Sequence, residues 1–154
     1  MQTAATYLVV IEDSPESGVA MRFAVQRAAH VDAAVALVSV VAPTEFLHFG
    51  SLQSAMAAEA RADAEKLLDR LATEAETLAG VRPATRVLDG EPAKAILAHV
   101  KNNPGIRALV LGTATRGSPS ALVSFFAGET AGSLPCILML VPGGLEPARI
   151  ADLA

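Results

Sequence analysis

Hydrophobic positions along the chain follow two alternating patterns. Continuous apolar runs, such as YLVVI at residues 7–11 and AVALVSVV at residues 34–41, are typical of strands buried on both faces of a sheet. Between these runs, apolar residues recur every three or four positions, which predicts amphipathic helices. The predicted strands span residues 7–11, 34–41, 85–88, 108–111 and 136–141, and the predicted helices begin at Pro15, near Met56, at Pro92 and at Pro119.

The alternation of strands and helices predicts a doubly wound α/β fold with parallel strands, right-handed crossovers and helices on both faces of the sheet. Ligands of such sheets bind beyond the carboxyl ends of the strands, where the winding reverses. If the strand order is 3-2-1-4-5, this crevice lies between strands one and four. The residues that follow these two strands are Glu12, Asp13 and Ser14 on one side and residues 112–118 on the other.

Length and composition limit the class of protein. A chain of 154 residues suits one domain, and 52% hydrophobic against 18% charged residues excludes a disordered chain. The net charge of -4 and the scattered basic residues argue against a nucleic-acid partner, because phosphates are neutralised by clustered Lys and Arg. No segment reads as a signal peptide or a membrane span. Cys136 lies among apolar residues, which predicts an inert buried thiol, and we expect a cytoplasmic protein.

Side chains that perform catalysis or bind metals form no recognisable group in the sequence. His30, His48 and His99 lie far apart, so no metal site is predicted. Glu12 and Asp13 are adjacent at a strand end and point in different directions, so paired carboxylate catalysis has little support. Ser14 has no evident His and acid partner that would make it a nucleophile. We therefore predict a binding protein rather than an enzyme.

Two further segments carry conspicuous side chains. The long second helix has a charged face, which we predict to be solvated; it consists of Glu59, Asp63, Lys66, Arg70 and Glu74. The segment FLHFG at residues 46–50 is predicted to fold back on the core. A lid over the crevice and a patch for a partner protein are the alternatives for FLHFG.

Four segments together resemble the universal stress protein family. YLVVIEDSPESGVAMRFA resembles the family's first strand, acidic turn and first helix, and DGEPAKAIL resembles its Gly-x-Pro segment. ALVLGT resembles its fourth strand, and LPCILMLVP its closing strand. The resemblance implies the adenine-nucleotide alpha-hydrolase-like fold, a five-stranded sheet of order 3-2-1-4-5, over residues 1–143, with a tail at residues 144–154. It also implies a homodimer paired through the last strand, although the tail covering that strand's edge is an alternative.

Members of the family that hold ATP carry Gly, two residues, Gly, nine residues, and then Gly followed by Ser or Thr. Gly112 matches the first position, but the second falls on Thr115 and the third on Phe125, or on Ser124 with a one-residue gap. Side chains at these points of close approach, with an aromatic ring near the phosphates, predict weaker ATP binding than the full motif gives. A monophosphate or a free anion would tolerate them better. The family's early Asp, which faces the adenine, corresponds to Glu12.

The loop after the fourth strand is rich in hydrogen-bond donors, and a helix starting near Ser118 would direct its amides at an anion. The alternative is that Ser118 only caps the helix and Arg116 is solvated. The candidate residues for binding ATP, AMP or another adenine nucleotide are Glu12, Asp13, Val40, Gly112, Thr113, Arg116, Gly117, Ser118 and Ser124. The predicted function is a stress-type regulator, a dimeric binding module with an unknown protein partner. Slow ATP hydrolysis in the same crevice is the alternative.

Overall fold

Five parallel strands form one sheet in the computed structural model, which describes residues 4–42 and 50–154. The strands are β1 (Thr6–Val10), β2 (Ala34–Val41), β3 (Ala84–Asp89), β4 (Ile106–Thr113) and β5 (Ile137–Pro142). The helices are α1 (Pro15–Val31), α2 (Gly50–Ala79), α3 (Pro92–Asn102), α4 (Ala121–Ala127) and α5 (Pro147–Leu153), and a 3-10 helix spans Glu129–Ser133. The strand order is β3-β2-β1-β4-β5, with every neighbouring pair parallel, so the predicted doubly wound fold and its order are confirmed.

Side chains on both faces of the sheet are buried, which explains the continuous apolar runs of the sequence. On one face, Val9 of β1 packs in a cluster with residues of α1, α2 and α5. On the other face, Leu8 and Val10 pack in a second cluster with residues of α3 and α4. The sheet therefore separates two apolar layers, and its carboxyl edge is where the loops that could bind a ligand emerge.

The start of α4 differs from the prediction. The helix begins at Ala121, not at Pro119, and Ser120 rather than Ser118 is its N-cap, with the hydroxyl accepting a hydrogen bond from the amide of Val123 at 3.3 Å. In the sequence, Ser118 and Ser120 both suit an N-cap. In the structure, the helix begins where its apolar residues reach the core, and Phe126 is fully buried. It ends at Ala127, so Gly128 and Gly132 lie outside it.

Residues 144–154, predicted as a tail, contain α5. Its Ile150 is buried in the cluster that also holds Val9 and residues of α1, so the segment packs against α1. The backbone oxygen of Ala154 lies 2.8 Å from Nδ1 of His30, near the end of α1.

Over the described ranges, no helix combines the length and the apolar character that crossing a bilayer requires.

Candidate functional site

The acidic turn after β1 is held in place by backbone and serine hydrogen bonds. The amide of Glu12 donates to Oγ of Ser17 at 2.9 Å, and Oγ of Ser39 in β2 donates to the carbonyl of Ile11 at 2.6 Å. Ser17 and Ser39 are both buried, so each satisfies a polar group that would otherwise be left without a partner. These bonds tie the turn to α1 and β2, and they fix where Glu12 and Asp13 emerge at the sheet edge.

Glu12 has an unusual environment for a carboxylate at the surface. Partial burial of its carboxyl group, followed by the negative charge of Glu16, raises its pKa above the usual range. The residue as a whole is exposed, so water screens part of this effect. Among the described residues, no three His, Cys, Asp or Glu side chains come together in a group that could hold a metal ion.

Gly112, the one residue that matches the glycine motif, is required by packing. A methyl group on Gly112 would come within 2.2 Å of the carbonyl oxygen of Glu16 in α1, a distance at which the backbone would have to move. Gly143, after β5, is similarly close, because its added methyl group would lie 2.7 Å from the carbonyl oxygen of Thr113. The amide of Gly143 donates to that same oxygen at 2.8 Å. The first turn of α1 thus lies directly against the ends of β4 and β5.

The loop that follows β4 lies at the surface. Thr113 is half-buried, and its hydroxyl donates to the carbonyl of Val141 at 3.4 Å. Arg116, Gly117 and Ser118 are exposed, and Gly117 has a φ of 81°, a conformation that favours glycine. Because α4 begins only at Ala121, the expected helix start near Ser118 is wrong. Anion binding by this loop stays a prediction.

The third position of the glycine motif falls inside α4 in either register. The amide of Ser124 donates to the carbonyl of Ser120 at 2.9 Å, so it is already engaged in the helix. Phe126 is fully buried in the core, and the half-buried ring of Phe125 packs edge-on against it with centroids 4.9 Å apart. The amide of Ser124 and the ring of Phe126 thus have partners within the protein, and obstruction of ATP by an aromatic ring stays a prediction.

A cavity of about 620 Å³ opens between the carboxyl end of β2 and the side of α2. Its described lining residues are Asp13, Val40, Val41, Ala42, Ala60, Asp63, Ala64, Lys66, Leu67 and Arg70. Two of the nine candidate residues, Asp13 and Val40, therefore lie in its wall. The candidates of the β4 loop and α4 are not part of this lining; they are Gly112, Thr113, Arg116, Gly117, Ser118 and Ser124.

Three residues of the charged face of α2 also line this cavity, namely Asp63, Lys66 and Arg70. They are exposed, as predicted, but they border a concave site rather than open surface. The sequence signal that could have found them is their spacing. Lys66 and Arg70 lie three and seven positions after Asp63, so all three share one helix face with Leu67. That spacing alone does not reveal that β2 ends opposite this face.

A smaller cavity of about 220 Å³ adjoins the same helix face. It shares Leu67 and Arg70 with the larger cavity, and its other lining residues are Ser14, Pro15, Gly18, Arg22, Leu71 and Glu74. Nε of Arg22 donates to Oε1 of Glu74 at 2.8 Å. Arg70 thus borders both cavities.

Of the FLHFG segment, residues 46–49 lie outside the described residues.

Comparisons with known proteins agree with this architecture. The universal stress protein UspA from Lactobacillus plantarum matches with a TM-score of 0.77 at 19% identity, over 92% of this chain and 99% of that one. A protein of the universal stress protein family from Burkholderia pseudomallei gives 0.69 at 19% identity, over 90% and 96%. A universal stress protein in complex with cAMP gives 0.62 at 16% identity, over 93% and 100%.

These identities are low enough that the solved structures show the fold alone. The comparison with curated sequences found no match. The family model described as the universal stress protein family matches residues 6–142, which is most of the sequence. The chain therefore belongs to the universal stress protein family.

Proposed function

We propose that this chain is a non-catalytic regulator that binds an adenine nucleotide in the cavity between β2 and α2. The observation that carries the proposal is that cavity, which lies at the carboxyl edge of a doubly wound sheet and includes Asp13 and Val40 in its wall. Its volume of about 620 Å³ is in the usual range for sites that bind small molecules. A family member of the same fold is in complex with cAMP, which supports an adenine nucleotide as the ligand class.

The lining of the cavity has the three kinds of group that a nucleotide requires. Alanine, valine and leucine residues offer an apolar surface for a base. The carboxylates of Asp13 and Asp63 accept hydrogen bonds from amino and hydroxyl groups, and Lys66 and Arg70 attract a phosphate. A free anion would bind to Lys66 and Arg70 but would offer no hydrogen-bond donor to the carboxylates, so a ligand with both donors and a negative charge fits better.

Monophosphates are expected to bind more tightly than ATP. In the glycine motif, the second position carries Thr115 and the third lies within α4, where the amide of Ser124 is already bonded. A triphosphate gains from a row of free backbone amides, whereas a single phosphate is satisfied by one or two donors. Regulation through ligand binding also fits better than hydrolysis. Hydrolysis requires a metal ligand and a group that orients water, and the sequence offers Glu12 or Asp13 for the first but no clear candidate for the second.

The test of this function is calorimetric titration of nucleotide-stripped protein with AMP, cAMP, ATP and adenosine, and with GMP as a control for the base. We expect AMP or cAMP to bind at least tenfold more tightly than ATP, and GMP more weakly than AMP. Absence of binding by all four adenine compounds would overturn the proposal. Release of phosphate from ATP at a steady rate would instead support the hydrolytic alternative.

We also propose that the regulator is a homodimer paired through β5. This strand is at the edge of the sheet, and Ile137 and Leu140 are 64% and 42% exposed. Antiparallel pairing with β5 of a second copy would cover these side chains and satisfy the unpaired backbone groups of the edge. Light scattering should give a dimer for the unmodified chain and a monomer for Leu140→Lys. Val81→Lys, a matched change at a 74% exposed apolar residue away from β5, should leave the dimer intact.

A further inference from the structure

We infer that Lys66 and Arg70 of α2 bind the phosphate of the ligand, because the β4 loop and α4 carry other residues at two of the three glycine positions of the motif. The inference rests on the proposed function, since it concerns the same cavity. It identifies the residues that distinguish a nucleotide from a nucleoside.

The two cations belong to a row of charges that runs along the cavity wall. Asp63, Lys66 and Arg70 are at positions i, i+3 and i+7 of α2 and therefore share one face of the helix. Asp63 and Arg70 are separated by about 10 Å along the helix axis, from the rise per residue of an α-helix. Leu67, on the same face, is half-buried against the core, so it fixes this face toward β2. A nucleoside monophosphate has a length that fits between the acidic and basic ends of the row.

Three carboxylates near Lys66 and Arg70 on α2 are engaged with other partners, whereas Asp63 lines the cavity. Glu65 pairs with Arg61, Asp69 pairs with Arg82, and Glu74 pairs with Arg22. Glu74, four positions after Arg70, is close enough along the helix to pair with it. The carboxylate of Glu74 instead pairs with Arg22, with Oε1 2.8 Å from Nε. Within the described ranges, neither Lys66 nor Arg70 forms an ion pair. Two adjacent cations at a concave site are thus available to an anion.

The chemistry of the pair favours a phosphate. The planar guanidinium of Arg70 can donate two parallel hydrogen bonds to phosphate oxygens, and the ammonium of Lys66 adds a compact charge. Arg70 also borders the smaller cavity of about 220 Å³, which has the hydroxyl-bearing Ser14 in its wall. Arg70 is therefore accessible from both cavities.

The test compares AMP with adenosine in calorimetric titrations of Lys66→Gln and Arg70→Gln. We expect each substitution to weaken AMP binding about tenfold, which corresponds to about 1.4 kcal/mol, and to leave adenosine binding unchanged. Arg70→Lys should recover part of the AMP affinity, because it keeps the charge and loses the bidentate geometry. Arg107→Gln, the same loss of charge at an exposed position on β4, is the matched control and should have no effect. All these side chains are exposed, so thermal unfolding should confirm that the variants fold.

The outcomes separate the inference from the proposed function. If AMP binds and Lys66→Gln and Arg70→Gln leave its affinity unchanged, the inference is overturned and the nucleotide function stands. The same conclusion follows if Arg116→Gln alone weakens AMP, because the phosphate then lies at the β4 loop. If neither AMP nor adenosine binds to the unmodified chain, the proposed function fails and the inference fails with it.

Discussion

At the carboxyl end of β2, residues of this strand and of α2 border an open cavity of about 620 Å³. At the end of β4, in contrast, the space beside Gly112 is filled by the backbone of Glu16. Both regions belong to the same edge of the sheet, the edge at which doubly wound folds bind their ligands. On the β2 side the groups that could contact a ligand face an open space. On the β4 side the backbone groups contact each other.

The difference shows that a glycine at a motif position can be retained for packing. Gly112 allows α1 to approach β4, and the helical amide of Ser124 completes a hydrogen bond within α4. Neither feature requires a phosphate. A binding function would then depend on side chains of the β2 side, where Asp13 of the acidic turn and Lys66 and Arg70 of α2 border the cavity.

The largest expected effect is the loss of stability caused by Gly112→Ala. Its methyl group would meet the carbonyl oxygen of Glu16 at 2.2 Å, so the first turn of α1 must shift. We expect the free energy of unfolding to fall by about 3 kcal/mol, as for a severely overpacked site. Chemical denaturation measures this change.

Gly132→Ala is the matched control for Gly112→Ala. Apart from Gly132 itself and its neighbours along the chain, no heavy atom lies within 4 Å of the added methyl group. The free energy of unfolding should therefore change by less than about 0.5 kcal/mol. If Gly112→Ala is equally neutral but abolishes nucleotide binding, Gly112 contacts a phosphate and the contrast between the two sides of the edge is wrong.

The next effect concerns Phe125→Gly, which restores a glycine at the third motif position. We expect a loss of about 2 kcal/mol in the free energy of unfolding, because a half-buried ring is removed and glycine weakens the helix. We expect no gain in ATP affinity, because the position lies within α4. Ser124→Gly, an exposed neighbour in the same helix, controls for the backbone cost alone. A tenfold increase in ATP affinity for either variant would show that the β4 side retains a phosphate site.

Patterns that arise within one segment predicted the fold well. Apolar runs identified the central strands β1, β2 and β4, because a strand buried on both faces reads as one continuous hydrophobic stretch. The edge strands β3 and β5 were also predicted, although most of their residues are exposed or half-buried. The start of α4 was misplaced by two residues because Ser118 and Ser120 both suit an N-cap in the sequence, whereas in the structure Ser120 caps the helix. The short α5 has one buried residue, Ile150, which is too little to produce a helical period.

The candidate site depended on contacts between segments and was predicted less completely. Asp13 was identified because it follows a strand end at the switch point. The cavity wall formed by Lys66 and Arg70 depends on how α2 lies across the end of β2. No local pattern distinguishes such a wall from an ordinary solvated helix face.

A third prediction tests the cavity on the β2 side directly. Ala64 is a half-buried lining residue, and Ala64→Leu would occupy part of the space available to the base. We expect AMP affinity to fall about tenfold, which is about 1.4 kcal/mol, with little change in the unfolding midpoint. Ala62→Leu, at an exposed position of the same helix outside the lining, should bind AMP as the unmodified chain does. Equal affinities for the unmodified chain and Ala64→Leu would place the ligand elsewhere.

The smallest expected effect is the pH dependence that Glu12 contributes to stability. Its pKa is raised in the folded protein by partial burial and by Glu16, so the folded state binds the proton more tightly than the unfolded state. The free energy of unfolding must therefore fall as pH rises from the usual carboxyl pKa through the raised value. Glu12→Gln removes this titration, and at pH 7 it should stabilise the protein by no more than about 0.5 kcal/mol, because water screens an exposed residue. Denaturation at pH 4 and pH 7 measures the effect, and a loss of stability at pH 7 would show that the ionised carboxylate has a favourable partner.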